Sequence, residues 1–204
     1  VCLTRPFPDF DFSFIKPVRQ KLVKLLNLKP GDRVLDAGCG SGGSFPYLQK
    51  SVGLSGEVTG VEISPQTVTN TRKRIEKNKW QNVNVIEADV RNVSLTGKFD
   101  GLLMFAAPDV YASEDALSNI FPYLKENARV AIFGAKISNR RFGWLLNGLL
   151  RMTSAGLSFT STPKVESEPW KILQRRLVKI SIEEYFFGWM FIAYGTAAKV
   201  CEKQ

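Results

Sequence analysis

Ile15, Val18, Leu22, Leu25 and Leu26 recur at three- and four-residue steps, so the N-terminal part of the chain predicts an amphipathic helix ending near Leu28. Pro30 and Gly31, in "KPGD", break that helix with a turn. Beyond it Arg33 to Ala37 reads as a strand, Gly43 to Val52 as a helix, and Glu57 to Ile63 as a second strand. Ser64 followed by Pro65 is a helix start: a capping hydroxyl, then a proline where no amide hydrogen is needed. A helix to about Asn78 follows from it. "VNVIEAD" reads as a third strand and "FDGLLMFAA" as a fourth. Ser113 opens a helix through Lys125, and "ARVAIFGA" is a fifth strand.

Strands alternating with helices at this spacing indicate βαβ units and a mainly parallel sheet with helices on both faces. The unbroken apolar runs "GLLMF" and "VAIF" suit strands buried on both sides. The rhythm stops after Lys136, and a long connection runs to Pro169. "LVKISIEEY" and "WMFIAYGTAAK", separated by Phe186 to Gly188, then predict an antiparallel hairpin that finishes the sheet. The fold expected is a Rossmann-like α/β domain with a seven-stranded, mostly parallel sheet. One domain spans residues 1–204, with an N-terminal helical lid at 1–28 and a cap insertion at 137–168.

Composition narrows the class. With 204 residues, 44% of them hydrophobic, the chain can build one globular domain with a substantial core. Cys2, Cys39 and Cys201 have no paired spacing and there is no histidine, so no metal site is expected and a reduced, cytoplasmic compartment is the simplest setting. The first residues have neither a basic nor an apolar leader pattern, so no signal peptide is expected. No apolar run reaches the roughly 18 residues of a spanning helix. The net charge of +9 raises a nucleic-acid partner or an anionic membrane surface. Its densest cluster, "RKRIEKNK", carries Ile75 at helical spacing from Val68 and Arg72 and reads as a solvated helix face.

The candidate chemistry lies in "VLDAGCGSGG", residues 34–43. Gly38, Gly40 and Gly43 satisfy the dinucleotide-binding spacing G-x-G-x-x-G, which brings backbone close to a ligand. Asp36 and the extra Gly42 argue against a phosphate there, because a carboxylate beside a helix N-terminus repels an anion. A ligand with a cationic end suits the loop better.

"VLDAGCGSG" resembles motif I of the class I S-adenosylmethionine-dependent methyltransferases. The resemblance implies S-adenosylmethionine as donor and S-adenosylhomocysteine as product, with Asp36, Gly38, Cys39 and Gly40 at the cofactor. It further implies that Glu62 binds both ribose hydroxyls and that Asp89 stands near the adenine amino group, with Ile63, Val90 and Phe105 alongside. Cys39 itself reads as a small side chain that fits the loop. The closing hairpin resembles the family's antiparallel sixth and seventh strands.

Methyl transfer from a sulfonium needs alignment and exclusion of water above all. Without histidine, any base is a carboxylate or a tyrosine. The segment after strand four borders the donor methyl in this family; here it is "MFAAPDVY", without the Asn/Asp-Pro-Pro-aromatic signature of many adenine and glutamine N-methyltransferases. Asp109 and Tyr111 are the catalytic candidates, and Pro108 a lining one. Phe142, Leu145, Leu146, Leu149 and Leu150 fall at helical steps, widened by Trp144 and Met152 and flanked by Arg140, Arg141 and Arg151. That stretch suits a cap over the acceptor that also leans on an anionic membrane surface. The acceptor expected is a small lipophilic molecule, met by Phe14, Trp144, Glu168, Trp170 and Tyr185, with no specific nucleic acid as partner. The alternatives are an RNA methyltransferase that uses the +9 charge and a non-catalytic S-adenosylmethionine-binding protein.

Overall fold

The computed structural model describes residues 15–138 and 167–198. Chain order runs α1 (Lys16–Leu25), β1 (Arg33–Ala37), α2 (Phe45–Val52), β2 (Glu57–Glu62), α3 (Pro65–Lys77), β3 (Val83–Glu87), β4 (Phe99–Phe105), α4 (Pro108–Tyr111), α5 (Glu114–Ile120), β5 (Leu124–Ala135), α6 (Lys171–Gln174), β6 (Leu177–Tyr185) and β7 (Met190–Ala197). The strands form one seven-stranded sheet in the order β3-β2-β1-β4-β5-β7-β6. β1 to β5 are parallel, while β7 runs antiparallel to both β5 and β6. This is the mostly parallel sheet with a closing hairpin that the alternating pattern predicts.

Side-chain alternation along the central strands divides the core into two layers. Leu35, Leu102, Met104, Val130 and Ile132 pack with α4, α5 and α6 on one face. Val34, Leu103, Phe105, Ala131 and Phe133 pack with α1, α2 and α3 on the other. The period of two along buried strands produces this split directly.

The predicted caps are present. The Ser64 side chain accepts from the Thr67 amide at the start of α3, and Ser113 accepts from the Ala116 amide at the start of α5. Several boundaries differ from the sequence reading. The helix expected to reach Lys125 stops at Ile120, a 3-10 turn follows over Phe121–Tyr123, and β5 already begins at Leu124, which pairs with Phe99. Ile120, Phe121 and Leu124 satisfy a helical apolar pattern, but Pro122 breaks it and Leu124 finds its burial in the sheet. β4 stops at Phe105, and residues 106 and 107 lead into the short α4. Helix α6, next to the buried Trp170, had no periodic signal.

The chain passes from β1 outward to β3 and returns through β4, which lies beside β1 on the opposite flank. In an open α/β sheet such a reversal opens a crevice at the carboxyl ends of the two strands. The glycine loop after β1 and the turn after β4 meet there.

Candidate active site

Gly38 and Cys39 both donate their amide hydrogens to the Val61 carbonyl, which fixes the loop onto β2. Helix α3 holds its outer side: the fully buried Thr71 hydroxyl lies 2.9 Å from the Gly40 carbonyl, and Arg74 donates to the Ser41 carbonyl at 3.2 Å. Gly38, at φ 76°, is required by close approach, since a Cβ there would stand 2.6 Å from that of Ala107. Gly40 is a different case. Its φ of 53° favours glycine, yet a Cβ built on it meets nothing within 4 Å. The space is the cleft itself.

That cleft has a volume of about 400 Å³ and is lined by the glycine loop, the ends of β2 and β3, the turn after β4 and the exposed side of α1. Glu62, buried at 7% exposure, stands in its wall with the two carboxylate oxygens held separately. Oε2 accepts from the Gly40 amide at 3.0 Å and Oε1 from the Ser64 amide at 2.9 Å. Each oxygen keeps acceptor capacity, so the group is oriented in advance to receive two hydroxyls. Ile63, Val90, Cys39, Phe105, Pro108, Asp109 and Asp89 line the same cleft. The Cys39 thiol is pushed well above its ordinary pKa by burial, then by the neighbouring Asp36 and Glu62 carboxylates, so it stays protonated and unreactive.

Asp89 is engaged by the Arg91 backbone amide and guanidinium, which holds its carboxyl below the usual carboxylate range. Arg91 also lines the cleft. Its sequence signal was weak, a lone cation two residues past a strand end.

Asp36 lies beneath the loop, at 0% exposure, and is not part of the cleft wall; neither carboxylate oxygen has a hydrogen-bond partner. Burial raises its pKa to about 7, the Arg19 charge and, more weakly, the nearby Ser44 hydroxyl pull it down, and Glu62 pushes it up. Arg19, from α1, donates to the Ser44 hydroxyl at 3.0 Å and its guanidinium lies 4.0 Å from the centre of the Phe105 ring. A Cβ on Gly43 would sit 2.8 Å from the guanidinium carbon, so a side chain there would displace Arg19 from its present position. Helix α1 thus places Arg19 and Ile15 in the cleft, which local sequence around the glycine loop could not announce.

Besides Asp36, four expected site residues stand outside the cleft wall. Tyr111 is buried at 3% exposure against Gly134 and edge-on to Phe191, outside the cleft wall, and burial pushes its hydroxyl far up from the ordinary phenol range. It packs the core and does not line the cleft, because α4 is a single turn on which positions 109 and 111 face opposite ways. Trp170 is likewise core, its ring 5.1 Å from that of Phe191. Glu168 pairs with Lys171 at the surface, and Tyr185 is bound to Lys21 and Glu183, joining α1 to β6. Phe14, Trp144 and the apolar stretch 142–152 lie outside the described residues. Among the described residues no group of three His, Cys, Asp or Glu side chains could hold a metal ion.

Residues 28–142 match the family model described as a methyltransferase domain. A 2-phytyl-1,4-naphtoquinone methyltransferase of Nostoc sp. is 31% identical over 117 residues, 56% of this chain and 51% of the relative. The aklanonic acid methyltransferase DauC of Streptomyces sp. is 28% identical over 122 residues, 58% of this chain and 55% of the relative. The chain therefore spans about half the length of the curated relatives it matches. Among solved structures, a SAM-dependent methyltransferase from Aquifex aeolicus superposes with a TM-score of 0.67 at 22% identity, covering 93% of this chain and 100% of that one. The chain belongs to the methyltransferase-domain family and has the class I, S-adenosylmethionine-dependent methyltransferase fold.

Gly40 offers a direct check on where the cofactor lies. Gly40→Ala is expected to lower stability by about 1 kcal/mol through its left-handed backbone. It should weaken S-adenosylhomocysteine binding tenfold or more, roughly, by filling the cleft. Calorimetric titration beside a thermal melt separates the two, and unchanged affinity would place the ligand elsewhere.

Proposed function

We propose that this protein transfers a methyl group from S-adenosylmethionine to a small lipophilic acceptor. The observation that carries the reading is the Glu62 carboxylate, fixed by two backbone amides in the wall of a cleft whose floor is bare glycine. The residues fit the cofactor. Glu62 receives the ribose hydroxyls, Val90 and Ile63 bracket the adenine beside Asp89, and Gly40 leaves the room the ligand needs. Arg19 faces the amino-acid end, where a guanidinium binds a carboxylate. The bound cofactor supplies an electrophilic methyl group on a cationic sulfur.

The acceptor end of the cleft is formed by Phe105, Ala106, Pro108 and Asp109. Ala106 holds φ at 54°, a left-handed conformation for a residue with a side chain, and its amide donates to the Phe133 carbonyl at 2.8 Å. Backbone strain of this kind gathers at functional turns. The ring of Phe105 lies 4.9 Å from that of Phe133, so this end has an apolar wall to which Asp109 adds one carboxylate. Asp109 orients an acceptor hydroxyl or amine and takes its proton. The phytyl naphtoquinone and aklanonic acid in the names of the two relatives support a small organic acceptor, apolar in the first case. In this reading α1 closes over the donor of a cytoplasmic enzyme that meets its substrate at a membrane face, while residues 1–14 of the expected lid and 139–166 of the expected cap lie outside the described residues. Ile15 and Arg19 in the cleft support the first part. No helix among the described residues is long and apolar enough to cross a membrane.

Mass spectrometry of lipid and aqueous extracts incubated with the protein and isotopically labelled donor tests this reading. Label on an apolar phenol or quinol is the expected result; label confined to polar metabolites or RNA overturns it. Asp109→Asn should lower kcat by about 10²–10³, the range for loss of a positioned base, with S-adenosylhomocysteine affinity unchanged. An unaltered kcat would remove Asp109 from the chemistry.

A further inference from the structure

The β6–β7 hairpin ends in a turn that the fold alone does not explain. Phe186, Phe187 and Gly188 hold φ of 48°, 57° and 86°, a left-handed run in which only the third residue is glycine. Asparagine and glycine take such a turn at little cost, and large aromatic residues do not. Burial does not offset the strain, since Phe186 is 56% exposed and Phe187 73%.

The turn is also firmly held. Trp189 donates to the Phe186 carbonyl, Lys136 donates to the Trp189 carbonyl at 2.8 Å, and the Ser138 hydroxyl donates to the Phe187 carbonyl at 2.7 Å. Met190 pairs with Tyr185 on one side and with Ala135, the last residue of β5, on the other. The turn therefore projects from the carboxyl end of the sheet, the end at which the cleft opens.

We propose that Phe186 and Phe187 form a rigid insertion tip for an anionic lipid surface. Two neighbouring phenyl groups on a braced turn enter the interfacial layer without an ordering cost, which a flexible loop would incur. The net charge of +9 complements an anionic leaflet. The chain leaves β5 and passes directly to the tip, where the Ser138 hydroxyl is bonded to the Phe187 carbonyl. The purpose of the contact, meeting an apolar acceptor where it is dissolved, rests on the function proposed above, whereas the geometry stands without it.

The test is co-sedimentation of the full chain with phosphatidylcholine vesicles containing phosphatidylglycerol, compared with phosphatidylcholine alone. The variant Phe186→Asn with Phe187→Gly places in the turn the two residues that suit its backbone. It should lower the partition coefficient by roughly tenfold or more, from the loss of two phenyl groups, while the melting temperature stays equal or rises and S-adenosylhomocysteine affinity is unchanged. A lower melting temperature with unchanged vesicle binding shows the rings packing on their own chain and overturns the proposal. A shift from dimer to monomer in sedimentation, with vesicle binding retained, shows a second copy as the occupant and overturns it too. Vesicle binding is read without turnover, so a polar acceptor would defeat the proposed function and leave this result standing.

Discussion

Replacing Glu62 with alanine is expected to weaken S-adenosylhomocysteine binding by about 2–4 kcal/mol, at roughly 1.5–3 for each charge-assisted hydrogen bond with part of the loss made up by water. Both carboxylate oxygens are already fixed by the amides of Gly40 and Ser64, so binding orders nothing further at this residue. The same fixing means that alanine leaves those two amides without an acceptor and loosens the loop. Glu62→Gln separates the effects. Its carbonyl oxygen can still take one amide and one hydroxyl, so it should bind better than the alanine variant and melt closer to the wild type. Isothermal calorimetry with both variants is the measurement. Equal affinity in wild type and Glu62→Ala would sink the cofactor assignment.

The second large effect is on stability. Asp36 is fully buried, without a hydrogen-bond partner on either oxygen, and its pKa rises from 3.8 to about 7 on folding. The unfolded chain loses this proton near pH 4, while the folded chain keeps it until about pH 7. The native state thus binds more protons between those values. The contribution of Asp36 to stability falls as pH rises through that window and is level above it. The full span is worth up to about 4 kcal/mol, at 1.36 per pKa unit. Asp36→Asn keeps the shape without the charge. Urea unfolding of the ligand-free protein should show a decline from pH 5 to 8 in the wild type that the variant lacks. At pH 8 the variant should be the more stable. Identical slopes would mean that Arg19 holds Asp36 ionised throughout. Glu57, Asp89 and Glu183, whose pKa values are lowered by their arginine and lysine partners, act in the opposite direction and only in acid, so they leave this window clear.

The Asp36–Arg19 pair also shows how far local pattern reaches. An acidic residue before a glycine run suggests a cationic ligand, and the loop does border the cleft, but the carboxylate itself lies beneath it. The cleft wall instead carries Arg19, from a helix that precedes the loop in sequence and is brought against it by packing of Leu22 and Leu26 and by the bond from Arg19 to Ser44. The amino-acid end of the donor would then meet a cation as well as glycine backbone.

The sequence by itself determined what depends on neighbours a few positions away. Buried parallel strands are continuous in apolar residues, helix starts carry Ser64 or Ser113, and the glycine loop with Glu62 at the next strand end follows local spacing, so each was legible without a partner in space. Tertiary structure alone decided which side chains face the cleft. Tyr111 turned into the core because about half a helical turn separates it in direction from Asp109, and Trp170 because Phe191 on a distant strand offered it a face. Arg19 entered the cleft, and Arg91 took up Asp89, through contacts that no periodicity encodes. The left-handed aromatic turn at Phe186 and Phe187 is the extreme case. There local preference opposes the conformation, and the bonds from Ser138 and Lys136 to the turn's carbonyls, made across the sheet end, hold it in place.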